Sequence, residues 1–256
     1  MEDDKQNYDL MGNFVKCLHD TYDKNKIKKY IIAHQTVQKV PYIPFSDLEP
    51  VTSENVQTLE KLLLEYAMLK NNSNECAIVY RMDSENFSSN LERISIVEGN
   101  IDTVHVGNNP LIEDARDVVV VTMHNHPNNS PLSIVDLAFF MSTRCVKLLT
   151  AVGNNGTVEA IQKKNAFDLS SAGPYFTSLL TSVGGILEDK LRTLTREDIK
   201  ALDPNIKNKI TRDWIEYQAV NQSIEYKYAE AKQNEKHNQY QKTRCDMAEK
   251  LDGNGR

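Results

Sequence analysis

Apolar residues recur along this chain with two different periods, and the alternation of those periods outlines its elements. Val56, Leu59, Leu62, Leu63, Tyr66 and Leu69 return every three or four residues and predict a helix over residues 53–70, with Thr52 or Ser53 available to cap it. After a turn at Asn71–Asn74, the run ECAIVYRM reads as a buried strand, followed by a polar turn at Asp83–Asn90 and a second strand at Arg93–Glu98. Gly99-Asn100 punctuates the pattern, IDTVHVG predicts another short strand, and Pro110–Asp117 a short helix. Val118–Met123 is valine-rich enough for a central strand buried on both faces. Pro131 breaks the chain before a helix at Ser133–Met141, and Val146–Val152 is a further strand. A tight turn at Gly153–Gly156 leads to its hairpin partner, Val158–Gln162. Strands interleaved with helices predict a compact α/β domain over residues 51–165.

The flanks differ in character. Residues 1–50 form a polar extension with a short helix predicted at Leu10–Tyr22 and a basic cluster at Lys26–Tyr30, read as a solvated helix face. Pro41 and Pro44 mark an extended lead-in. Residues 166–256 read as helical, because Leu179–Leu194 and Ile206–Leu251 are dominated by good helix formers and charges. Trp214, Tyr217, Val220, Ile224 and Tyr228 would share one apolar face, and the polar remainder predicts a helix that projects into solvent or packs on a partner or a second copy.

Composition narrows the function classes. The 256 residues are 40% hydrophobic and 26% charged, as in soluble globular proteins, and the net charge of −6 weighs against nucleic-acid binding. Cys17, Cys76, Cys145 and Cys245 form no C-x-x-C pair, which speaks against a zinc knuckle or a disulfide framework and suits a reducing compartment. MEDDKQNYDL lacks the basic start and apolar core of a secretory signal, and no apolar stretch reaches membrane-spanning length, so cytoplasm is the expected location.

The chemistry concentrates in HNHPNNSPLSIVD, which follows the valine run. Side chains alternate faces along a strand, so His124 and His126 point the same way and can grip one ion. Asp136 could add a third ligand from the first turn of a helix. Three N/O ligands with one open position is how catalytic zinc is usually held. Such an ion makes hydroxide available near neutral pH, and a nearby carboxylate in a partly apolar setting must then manage the proton. Glu75 is the first candidate because it opens a buried strand; Glu85, Glu92 and Glu98 are rivals. Ser133 could support a developing oxyanion, although Ser133-x-x-Asp136 equally fits a helix cap, and the two roles are compatible. His19, His34, His105 and His237 stand outside any such constellation.

Glu75, then HNHP from His124 to Pro127, then SIVD from Ser133 to Asp136 resembles the JAMM (MPN-plus, JAB-domain) zinc metalloprotease family, and HNHP resembles its bacterial RadC-like branch. The resemblance covers roughly residues 70–165. It implies a three-layer, cytidine-deaminase-like α/β fold with a mixed sheet. It also implies one zinc on His124, His126 and Asp136, with Glu75 as acid/base and Ser133 at the tetrahedral intermediate. The implied substrate is a peptide or protein, including ubiquitin-like conjugates. In one respect the chain departs from the family: the stretch between His126 and Ser133 is one residue shorter than usual. Two other readings remain open at this level: a RadC-like accessory protein in DNA processing or mobile-element biology, and a partner-binding module with a non-catalytic metal site.

Overall fold

The computed structural model describes residues 29–46, 50–82, 94–113, 119–191, 193, 198 and 202–231. Among these, the apolar runs form six strands: β1 (Cys76–Met82), β2 (Ile94–Glu98), β3 (Val119–His126), β4 (Val146–Gly153), β5 (Val158–Lys163) and β6 (Ile224–Ala229). They make one mixed sheet in the order β2-β1-β3-β4-β5-β6. The pair β3–β4 is parallel and the other neighbours are antiparallel. The described helices are α1 (His34–Lys39), α2 (Pro50–Lys70), α3 (Pro110–Glu113), α4 (Ile134–Ser142), α5 (Leu169–Ser182), α6 (Glu188–Leu191) and α7 (Pro204–Val220).

Each face of the sheet has its own core. On the back face Leu59, Leu63 and Leu64 of α2 pack on Ile78, Val121, Met123 and Leu148, together with Ile32, Val37, Val40 and Phe45 from before the helix. On the front face Val79, Val120, Leu149 and Ile161 meet Leu137 and Phe140 of α4, Phe176 of α5 and Trp214 of α7. Burying one such large apolar side chain contributes roughly 1.5–3 kcal/mol. Lys163 at the end of β5 ties down the far end of α4: its Nζ donates to Thr143 O at 2.8 Å and lies over the Phe140 ring. No helix among the described residues is long and apolar enough to cross a membrane.

Several sequence expectations are met with shifted bounds, and two are overturned. The helix expected from residue 53 begins at Pro50, so Ser53 is not its cap; the Ser53 hydroxyl instead accepts from Phe45 N–H at 3.3 Å. IDTVHVG forms no strand. Gly99 lets this segment turn in against the start of β1, where an added Cβ would lie 2.3 Å from Thr103 O and 3.0 Å from Glu75 O. The larger correction is C-terminal. The helix expected over Ile206–Leu251 ends at Val220, and Ile224–Ala229 returns as β6, antiparallel to β5. Trp214 is fully buried while Tyr217 and Val220 are exposed, so the five residues read as one apolar face do not share one. The turn at Asn221–Ser223, with Gln222 in the left-handed region at φ 56, separates the two elements. Within the region read as helical, α5 begins at Leu169, ten residues ahead of the run starting at Leu179, and carries Gly173-Pro174 in its interior. The helix expected at Leu10–Tyr22, the turn at Asp83–Asn90 and the chain beyond residue 231 lie outside the described residues.

Candidate metal centre

The strand β3 runs on through both histidines. Thr122, His124 and His126 occupy alternate positions and face the front, whereas Met123 and Val121 belong to the back core. His124 and His126 are 6% and 7% exposed, and their Nε2 atoms stand 2.8 Å apart. The His126 Nδ1 lies 2.7 Å from the carbonyl of Ser130. A carbonyl only accepts, so Nδ1 carries the proton and Nε2 is left with its lone pair turned toward His124.

The loop from Pro127 to Leu132 is held by a series of hydrogen bonds. Asn129 adopts the left-handed region at φ 58, which asparagine tolerates, and donates its N–H to His126 O at 3.0 Å. Ser130 N–H is held by Asn128 Oδ1 at 2.9 Å, and Leu132 N–H by Glu159 Oε2 at 2.5 Å. The chain then enters α4 through a capping box. Ser133 Oγ accepts from Asp136 N–H at 3.3 Å, and Ser133 N–H donates to Asp136 Oδ2 at 2.6 Å. The same carboxylate reaches the histidines, with Oδ1 at 3.1 Å from His124 Nε2 and Oδ2 at 3.7 Å from His126 Nε2.

Glu75 arrives from the other neighbour of β3. Its N–H donates to Asn100 O at 2.8 Å and its carbonyl accepts from Gly99 N–H at 2.9 Å, which fixes the residue just ahead of β1. Glu75, His124 and His126 each place one ligating atom within 4.8 Å of the others, a group that could hold a metal ion. Sequence reasoning gave no role to the residue between the histidines. Asn125, fully buried, accepts from Cys76 N–H at 2.7 Å and donates to Asn74 O at 3.1 Å, so it grips the backbone on both sides of Glu75. Its amide also donates to Asn154 Oδ1 at 2.8 Å. A polar residue on the back face of a central strand was the available signal, since such a side chain needs partners.

The four groups line one partly open cleft. Its walls are apolar, with Val104, Val106, Val135, Phe139 and Leu149, and Asp102 lies within it as a further carboxylate. Burial pushes Glu75 up to about 8, against the pull of His124 and with the push of Asp136. Burial would raise Asp136 too, but the charge and hydrogen bond of His124, then His126 and Ser133, hold it well below the usual carboxylate range. His124 is disfavoured as a cation by burial yet raised on balance by Asp136 and Glu75. Burial and then the His124 charge lower His126.

The remaining candidates do not join this group. Glu98 is exposed and accepts from Tyr66 Oη at 2.7 Å; Glu85 and Glu92 lie outside the described residues. His34 and His105 are exposed and do not line the cleft, while His19 and His237 lie outside the described residues. No family model matches the chain, and neither the curated proteins nor the solved structures contain a significant match.

Proposed function

We propose that this chain is a zinc-dependent hydrolase of the JAMM type, built on that family's three-layer, cytidine-deaminase-like fold, which cleaves a peptide or isopeptide bond. The observation that carries the reading is the convergence of two imidazole Nε2 atoms and two carboxylates of opposite electrostatic disposition in one cleft.

The donor set fits zinc. Ligand atoms bound at about 2.0–2.1 Å around a tetrahedral ion stand about 3.3 Å apart. The separations of 2.8, 3.1 and 3.7 Å among His124, His126 and Asp136 bracket that value. Asp136 is the better third ligand than Glu75, because its charge is stabilised at a helix N-terminus by the capping box, whereas burial disfavours a charge on Glu75. With His124, His126 and Asp136 as ligands, zinc would supply a Lewis acid able to make hydroxide available near neutral pH.

The remaining work falls to the chain. Glu75 takes a proton from the attacking water and returns it to the leaving nitrogen; the first step needs its ionised form, which the charge of a bound cation would favour against burial. The Ser133 hydroxyl accepts the Asp136 N–H through a lone pair and keeps its own proton to donate to a developing oxyanion. The apolar walls would strengthen both interactions once a substrate displaces water from the cleft. Among the described residues, those lining the cleft include no lysine or arginine to meet a phosphate, which favours an amide substrate over a nucleic acid.

Metal analysis joined to a cleavage screen tests the reading. The purified chain is expected to carry about one zinc ion, as an open three-ligand site would. It is also expected to hydrolyse members of a peptide and isopeptide panel until a chelator is added. A metal-free protein that gains no affinity for zinc on titration would end it.

A further inference from the structure

The loop that brings Asp136 to the histidines is anchored from two strands away. Leu132 N–H donates to Glu159 Oε2 at 2.5 Å, and Tyr226 Oη donates to Glu159 Oε1 at 2.9 Å. Glu159 belongs to β5 and Tyr226 to β6, neither of which supplies a ligand. Leu132 immediately precedes Ser133, whose N–H holds the Asp136 carboxylate.

We propose that Glu159 is a positioning residue for the metal centre. Its carboxylate, oriented by Tyr226, fixes the short His126–Ser133 loop and thereby sets how tightly the site binds a divalent metal. This inference rests on the metal reading given above.

Cost and placement support it. A carboxylate 9% exposed is expensive to bury, and an apolar side chain would fill the same space more cheaply. Both oxygens are nonetheless committed, one to a backbone N–H of the loop and one to a phenol. Leu132 is itself buried, so its N–H has no recourse to water if Glu159 is removed. Leu132 directly precedes Ser133, so a shift at the anchor carries to the N–H that holds Asp136. Losing a direct hydrogen-bond partner of a metal ligand typically weakens binding about 10–100-fold; Glu159 acts one step further out, through Leu132 and Ser133, so the lower end of that range applies.

Glu159→Leu, Glu159→Gln and Tyr226→Phe in the full chain test the inference by zinc titration against a competing chelator. Glu159→Leu is expected to weaken zinc at least about 10-fold while the circular dichroism of the metal-free protein stays near wild type and its melting temperature falls only by the several degrees that one unpaired buried N–H costs. Glu159→Gln should rescue affinity to within a few-fold, because its amide can accept from Leu132 and donate to the tyrosine oxygen. Tyr226→Phe should fall between them.

Amide hydrogen exchange at Leu132 and Ser133 in the metal-free protein reports on the anchor without any metal. Both amides should exchange at least about 10-fold faster in Glu159→Leu, with β4 unchanged. Unchanged exchange, or wild-type zinc affinity in Glu159→Leu, overturns the inference. A melted Glu159→Leu moves the decision to Tyr226→Phe, whose wild-type exchange and affinity would overturn it equally. A wild-type chain that binds no divalent metal overturns the proposed function instead, a result that the exchange experiment distinguishes.

Discussion

Two buried glutamates, one on each face of the sheet, make an instructive pair. Glu75 and Glu60 are 7% and 2% exposed, and burial pushes each up to about 8. By protonation alone they cannot be told apart. Glu60 of α2 faces Thr150 on the back of the sheet, where neither its Oε1 nor the threonine hydroxyl makes a hydrogen bond of ordinary geometry, and no opening leads to it from the described cleft. Glu75 meets two imidazoles and shares a cleft with a second carboxylate. A displaced pKa marks burial; what surrounds the acid decides whether it can do chemistry.

The sharpest way to break this comparison is to neutralise both acids. Glu75→Gln should retain zinc and lose cleavage by about 10²–10⁴-fold, the usual range for a general acid/base. Glu60→Gln should cleave at the wild-type rate. Equal losses in kcat/KM for the two variants would show that the cleft does not distinguish them.

Asn125→Ala addresses what makes Glu75 different, its backbone grip. The substitution leaves Cys76 N–H and Asn154 Oδ1 without the Asn125 amide, and a loss of about 2–3 kcal/mol in denaturant unfolding is expected. Cleavage should fall further than in any back-face variant of matched stability. A stability loss with normal kcat in the folded fraction would separate the grip from catalysis.

The Glu60 side of the pair has a pH signature. Its folded value of about 8 lies above the ordinary 4.5, so the folded state holds a proton that the unfolded chain releases. That contribution is complete below 4.5 and is lost as pH rises through about 8, at up to about 1.4 kcal/mol per pH unit. Glu60→Gln should therefore flatten the stability profile across this window, measured by urea unfolding at stepped pH. Parallel profiles for variant and wild type would refute the displaced pKa.

The smallest effect is expected at the helix entrance. Ser133→Ala removes a cap worth about 1 kcal/mol, so the melting temperature drops by a few degrees. A drop in kcat well beyond that stability change, with zinc retained, would assign the hydroxyl to the reaction as well as to the helix.

The legible parts of this molecule were those governed by local spacing. The His124–His126 pair could be placed on one face because strand alternation needs no tertiary knowledge, and the Ser133–Asp136 box announced its helix. The α2 and hairpin patterns were equally local. What escaped depends on distant partners. IEYKYA has a tyrosine and lysine content that suits a helix flank as well as a strand, and only its antiparallel register with β5 decides the matter. Asn125 likewise reads as filler until Cys76 and Asn154 are brought to it from 49 and 29 residues away. Glu159 carried no sequence signal, since its value lies entirely in meeting Leu132 and Tyr226.

One further feature bears on how the chain could be re-engineered. At the tip of the β4–β5 hairpin, Gly156 adopts φ 87, and a Cβ there would come 3.2 Å from Thr36 and 3.3 Å from Ala231. Residues from the first and the last described segments thus flank the same glycine, and at the other end of β6 Ser46 bonds Glu225 at 2.8 Å. A short linker joining these two segments would make the folded part a closed ring. New termini could then be opened elsewhere, with Glu75 through Asp136 still translated as one uninterrupted stretch. In that sense the centre is a cassette, and the approach of the first and last described segments to a single glycine marks a seam for circular permutation.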